Sequence, residues 1–196
     1  MLTFLGAAGL AFGAIFVAEF GDKSQLLILA FATRYAARPV IFGLVLAAAA
    51  IQGLSVVIGA AVGAILPTTA VAIVSGLAFL AVAAWTLHGD DDEEEARSLG
   101  AARGAGGLGV VMTVAGTFVL AELGDKTMLA TFALAATQGA LPTWIGSTAG
   151  EVAANLVAVV VGRQVGHRLS PRMVRIGSAV LFAVAGLAVL ASVLIA

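Results

Sequence analysis

Two short stretches of this chain carry nearly the same chemistry. Glu19-Phe20-Gly21-Asp22-Lys23-Ser24 recurs 103 residues later as Glu122-Leu123-Gly124-Asp125-Lys126-Thr127. Each copy lies in the middle of a strongly apolar segment, where acids and lysines are costly. Carboxylates, hydroxyls and backbone carbonyls are hard oxygen donors, the ligand set of Ca²⁺, Mn²⁺ or Mg²⁺. Glu19 and Asp22 are three residues apart, a spacing that on a helix puts both carboxylates on one face. Gly21 and Gly124 lower helix propensity, so the helix is expected to loosen there and free carbonyl oxygens as additional ligands. Ser24 and Thr127 add hydroxyls, and Gln52 and Asn155 add amide oxygens. The chain has no cysteine, and His88 and His167 stand at the ends of apolar segments, which argues against Zn²⁺ or Cu⁺.

Charge counting sharpens the reading. The apolar segments hold Glu19, Asp22, Glu122, Asp125 and Glu151 against Lys23 and Lys126, which leaves −3 if all ionise. Such a charge is untenable in hydrocarbon. A divalent cation reduces it to about −1, and protons neutralise the rest, so the two compete for the same oxygens. That competition is what an antiporter requires. An intrahelical ion pair that merely stiffens the helix is the simpler reading of one copy, but it does not account for two. Lys23 and Lys126 either tether the carboxylates when no cation is bound or snorkel to an interface. Gln52 and Asn155 are either ligands or interhelical hydrogen-bond partners. Glu151, whose counterpart is Ala48, is a site ligand, a proton carrier or a group near the interface.

The elements that position these residues follow from composition. The 196 residues are 61% hydrophobic and 11% charged, with a mean hydropathy of +1.11. A soluble domain of this length needs more polar surface, so the expected class is an all-α integral membrane protein. Six spans are predicted: about 2–34, 39–66, 70–88, 108–137, 142–168 and 172–195, the first and fourth interrupted at the motif. A tight turn is expected at Pro67-Thr68-Thr69, and Pro142 and Pro171 are expected to open their spans. The first span lacks a basic leader and is expected to be retained. Trp85 and Trp144 fit interfacial anchoring.

The halves align at the same offset of 103, with Pro39/Pro142, Gly43/Gly146, Gly59/Gly162, Gly63/Gly166 and Gln52/Asn155 in register. The predicted domains are a three-helix repeat over 1–88, an acidic cytoplasmic linker over 89–107 and a second repeat over 108–196. An odd number of spans per repeat inverts the second copy, so the two motifs meet near the midplane. Arg34, Arg38, Arg97, Arg103, Arg163, Arg168, Arg172 and Arg175 all fall on one side, which puts both termini outside the cytoplasm. The six acids Asp90–Glu95 read as a solvated linker, with weak capture of cytosolic cations as the alternative.

The doubled Glu-x-Gly-Asp-Lys-[Ser/Thr] motif in a six-span chain of this size resembles the small cation/proton exchangers of the Golgi-type Ca²⁺/Mn²⁺ transporter family. The bacterial members are manganese exporters grouped with the lysine-exporter superfamily. The resemblance covers essentially the whole chain. It implies that Glu19, Asp22, Glu122 and Asp125 are cation ligands, with Gln52 and Asn155 where the family places amides. It also implies export of Mn²⁺, or exchange of Ca²⁺ or Mn²⁺ for H⁺. The residue after each motif differs, Gln25 against Met128, so the site is only pseudo-symmetric.

The expected function is therefore a secondary transporter in the inner (plasma) membrane that exports a divalent cation, Mn²⁺ first, for protons. The alternatives are a Ca²⁺/H⁺ antiporter, a lysine-exporter-like carrier of a small organic cation, a passive cation channel and a non-transporting sensor. No enzyme is expected, because the spans offer no histidine ligand cluster and no nucleophile–base pair. No cofactor is expected beyond the transported ion, and the partners are the cation, protons and the lipid bilayer, with no nucleic acid.

Overall fold

The computed structural model describes residues 3–20, 22–88, 106–165 and 171–195. These form eight α-helices and no strands: α1 (Phe4–Glu19), α2 (Lys23–Arg34), α3 (Ala37–Ile65), α4 (Thr68–His88), α5 (Gly107–Glu122), α6 (Lys126–Gln138), α7 (Ala140–Val165) and α8 (Pro171–Ile195). The acidic linker Asp90–Glu95, with Arg97 and Arg103, lies outside the described residues, as do His167 and Arg168.

Both motifs stop a helix. α1 ends at Glu19, and Asp22 N–H bonds to the Glu19 carbonyl at 3.2 Å before α2 starts at Lys23. α5 ends at Glu122, Asp125 N–H bonds to the Glu122 carbonyl at 3.1 Å, and α6 starts at Lys126. Gly124 sits at φ +84°, a left-handed conformation that side chains resist, and α5 and α6 meet at 79°. The interruptions expected at the motifs are therefore present. The expectation that Glu19 and Asp22 share one helix face is not met: no helix runs through the motif, and a turn separates the two carboxylates. Two boundaries also move. Thr68 is already helical, so the turn after α3 is shorter than expected. α7 begins at Ala140, which places Pro142 within its first turn, where a missing N–H costs little.

Among the described residues, α3 alone is by itself long and apolar enough to cross a membrane; α5 and α6 reach that test together. The 16 residues of α1 span ~24 Å, short of the ~30 Å hydrocarbon core of a bilayer. Large apolar side chains stand on the outer surface, among them Leu5 (80% exposed), Phe42 (68%) and Ile65 (80%). A surface of this kind suits a lipid neighbour.

Helix packing is close and repeats at the 103-residue offset. Gly43 of α3 lies against Val111 and Val114 of α5, and its counterpart Gly146 of α7 lies against Ala8 and Ala11 of α1, the counterparts of those valines. Gly59 and Gly63 bring α3 onto Phe132 and Ala136 of α6. Small residues allow this backbone approach. Phe79 of α4 stacks on Phe182 of α8 at 6.1 Å, each the other's counterpart.

Two apolar clusters flank the motifs. One joins Ala11, Ile15 and Ala18 of α1 to Ala130, Ala133 and Leu134 of α6, closed by Phe79, Val82 and Phe182. The other joins Leu27, Ile28 and Phe31 of α2 to Val110, Val114 and Phe118 of α5, closed by Val40, Leu44 and Ala47 of α3. The helix before each motif thus packs with the helix after the other motif. A Cβ at Gly146 runs into the Ala8 carbonyl, whereas one at Gly9 meets nothing within 4 Å. Gly146→Val is therefore expected to lower thermal stability in detergent by about 1–3 kcal/mol through overpacking. Gly9→Ala, in the same assay, is expected to be neutral or slightly stabilising.

Candidate metal centre

The two helix breaks bring their acids to one place. Glu19 at the end of α1, Glu122 at the end of α5 and Asp125 before α6 each offer one oxygen, and these oxygens all lie within 4.8 Å of one another. All three residues are buried, at 0%, 1% and 3% exposure. Three oxygens this close lie within ~2.8 Å of a common centre, slightly more than the ~2.3–2.6 Å of a Ca²⁺–oxygen bond, so a small closure of the trio lets one ion touch all three. Asp125 occupies the N-cap position of α6 but makes no side-chain cap bond, which leaves its carboxylate directed to the cluster rather than to the helix end. Two ionised carboxylates at this separation repel by about 3.5 kcal/mol at an effective dielectric constant of about 20. The trio is therefore held by protons or by a cation.

Asp22, the fourth acid expected as a ligand, is placed differently. Its Oδ2 forms a 2.6 Å ion pair with Lys126 Nζ, the lysine of the other motif, and both side chains are buried. Lys126 therefore tethers a carboxylate of the other motif and is buried with it. The side chain of Lys23 lies outside the described residues. Ser24 Oγ donates to Glu19 Oε2 at 2.7 Å. Its counterpart Thr127 is fully buried, and its hydroxyl has no hydrogen-bond partner among the described residues, like both carboxylate oxygens of Glu122.

The amides also divide. Gln52 Nε2 donates to Glu151 Oε2 at 2.6 Å, and Gln52 Oε1 accepts from Thr131 Oγ1 at 2.6 Å. This bonding turns the amide nitrogen toward the Glu151 carboxylate and engages the oxygen with Thr131. Asn155 Nδ2 donates to the Glu151 backbone carbonyl at 3.0 Å, while its Oδ1 is buried with no partner among the described residues. Glu151 is 1% exposed, and its Oε2 accepts from Gln52 Nε2. It is thus buried among the helices, bonded to the amide of α3. Thr131, which orients Gln52, has no signal in the repeat alignment, since its counterpart is the apolar Ile28; its one sequence cue is its place four residues after Thr127. Trp144 Nε1 donates to the Ala49 carbonyl on α3 at 3.0 Å, a helix–helix tie.

The arrangement is an all-oxygen, buried, acid-rich centre where two broken helices meet. The comparisons with known proteins agree with this chemistry. Residues 7–94 and 110–195, each segment holding one motif, match the family described as "Divalent cation/proton antiporter GDT1". A Vibrio cholerae protein named "Putative manganese exporter" is 34% identical over 176 residues, covering 88% of this chain and 84% of its own. The Synechocystis GDT1-like protein sll0615 is 31% identical over 183 residues, covering 86% and 88%. Arabidopsis thaliana PAM71, a chloroplastic protein, is 33% identical over 198 residues, covering 89% of this chain but 54% of its own, so the chain spans about half of that relative. No solved structure matches. With the family matched over both halves, the chain belongs to the GDT1 divalent cation/proton antiporters and is a transporter, not an enzyme.

Proposed function

We propose that this protein exports Mn²⁺ from the cytoplasm in exchange for protons, through one site formed by both motifs. The observation that carries the reading is the Glu19–Glu122–Asp125 oxygen cluster, an acid trio drawn from both halves of the chain. The manganese exporter named among the relatives favours Mn²⁺ over Ca²⁺; the hard oxygen donors suit both. Cytosolic cation displaces protons from the carboxylates, the halves rearrange, and outside protons displace the cation. Asp22 and Lys126 hold the halves together across the site as a compensated pair.

The same reading includes six spans in two inverted repeats, with the first repeat over 1–88, the linker over 89–107, the second repeat over 108–196 and both termini outside the inner membrane. Supporting it, α4, α7 and α8 have 21, 26 and 25 residues, about 32–39 Å of helix. The exchange of partners between the half-helices before and after each motif is what antiparallel crossing produces.

Three outcomes follow. In proteoliposomes with an imposed pH gradient, Glu19→Gln and Glu122→Gln are each expected to cut Mn²⁺ flux at least about tenfold, the scale that loss of even a ligand's hydrogen-bonding partner reaches; wild-type flux with intact proton coupling in both variants would rule out the shared site. Asp22→Asn leaves Lys126 buried without its counter-charge, and thermal unfolding should show a loss of about 3–5 kcal/mol, with Mn²⁺ affinity reduced less than by Glu122→Gln. Because the chain has no native cysteine, topology is testable by single substitutions in intact cells. An impermeant maleimide is expected to label Leu66→Cys and to leave Ala36→Cys unlabelled, and the reverse pattern would invert the assignment.

A further inference from the structure

One face of α7 has a chemistry that its counterpart on α3 lacks. Thr143, Ser147, Glu151 and Asn155 recur every four residues, so they line one side of the helix, and each is 0% or 1% exposed. The positions 103 residues earlier are Val40, Leu44, Ala48 and Gln52, equally buried. Val40 and Leu44 sit in the apolar cluster with Phe31, Val114 and Phe118. The same place in the pseudo-symmetric fold is thus dry on α3 and hydroxyl-lined on α7.

The hydroxyls on α7 are only partly used by the helix itself. Thr113, Thr117 and Thr137 each donate to the carbonyl one turn earlier, the usual arrangement for such residues. Thr143 Oγ1 makes no such bond and has no partner among the described residues. Ser147 Oγ donates to the Trp144 carbonyl at 3.3 Å, which leaves its lone pairs available. At the inner end, Glu151 Oε1 is also without a partner among the described residues, while Oε2 is held by Gln52. Buried polar groups of this kind are costly unless water or a transported species satisfies them. The file runs ~12 Å from Thr143, in the first turn of α7, to Glu151, and three residues beyond it the Ala154 carbonyl accepts from Gln25 Nε2, directly after the first motif, at 3.2 Å.

We propose that the Thr143–Ser147–Glu151 face of α7 is the route by which protons pass between the carboxylate site and the membrane side on which α7 begins, while the Val40–Leu44–Ala48 face of α3 is the seal toward the opposite side. The hydroxyls act by donating and accepting hydrogen bonds in relay with water, and Glu151 is the inner end of that relay, oriented by Gln52 and Thr131. The proposal rests on the antiport reading above and adds an asymmetry to it: of the two counterpart faces, the one on α7 is hydroxyl-lined and the one on α3 is apolar.

The test separates proton movement from cation movement. Proteoliposomes holding wild type, Ser147→Ala, Thr143→Val or Thr143→Ser are assayed for Mn²⁺ uptake driven by a pH gradient and for radiolabelled Mn²⁺–Mn²⁺ exchange at equal pH. In Ser147→Ala and Thr143→Val, proton-driven uptake is expected to fall at least about tenfold, with Mn²⁺–Mn²⁺ exchange held within about twofold. Thr143→Ser, which keeps the hydroxyl, is expected to retain both. Equal losses in the two modes, or no loss in either, would overturn the route while leaving the antiporter intact. Wild-type vesicles that move no Mn²⁺ in either mode would overturn the antiport reading and the route with it.

Discussion

The constraint on which the rest of the structure depends is the burial of like charge at one point. Three carboxylate oxygens within 4.8 Å, from residues almost fully shielded, do not coexist in an apolar interior without protons or a cation. The helix breaks, the Asp22–Lys126 pair and the hydrogen bonds from Ser24 and Gln52 all serve that point. Ending α1 at Glu19 and α5 at Glu122 lets two chain segments deliver acids to the same place. A continuous helix through either motif would carry Asp22 or Asp125 along its own axis, away from the other half.

Around this centre the packing is symmetric where it is apolar and asymmetric where it is polar. Gly43 and Gly146 make matching contacts with α5 and α1, and Phe79 stacks on its own counterpart Phe182. The polar groups depart from this pattern. Ser24 binds Glu19, but Thr127 does not bind Glu122 through its hydroxyl; Glu151 has Ala48 opposite it; Thr131 has Ile28. Close packing tolerates little variation in shape at a shared interface, so the glycines and phenylalanines are kept alike. The site must treat two membrane sides differently, and its hydrogen-bonding groups are where the halves diverge.

Much of the fold was legible before any coordinates. The interruptions at both motifs follow from a glycine beside an acid in an apolar run, and the start of α8 at Pro171 follows from the fixed φ of proline. The single-face geometry expected of Glu19 and Asp22 is absent, because spacing implies a face only where the helix persists, and here it ends between them. Helix starts at Thr68 and Ala140 differ from the expected 70 and 142 by two residues each. Propensity is weak at such ends, and neighbouring packing decides them.

By itself, the sequence determined that this chain carries two copies of an oxygen-rich, acid-rich motif in apolar surroundings, and from that the family and the class of ion. Those are matters of residue type and spacing. Only the tertiary structure decided which acids meet. It joined Glu19 to Glu122 and Asp125, assigned Asp22 to Lys126, turned Gln52 toward Glu151 and engaged its oxygen with Thr131. The reason is physical: these partners lie 79 to 106 residues apart along the chain, and no local rule of dihedral or periodicity reaches that far. Which donor faces which acceptor is settled by how the helices cross.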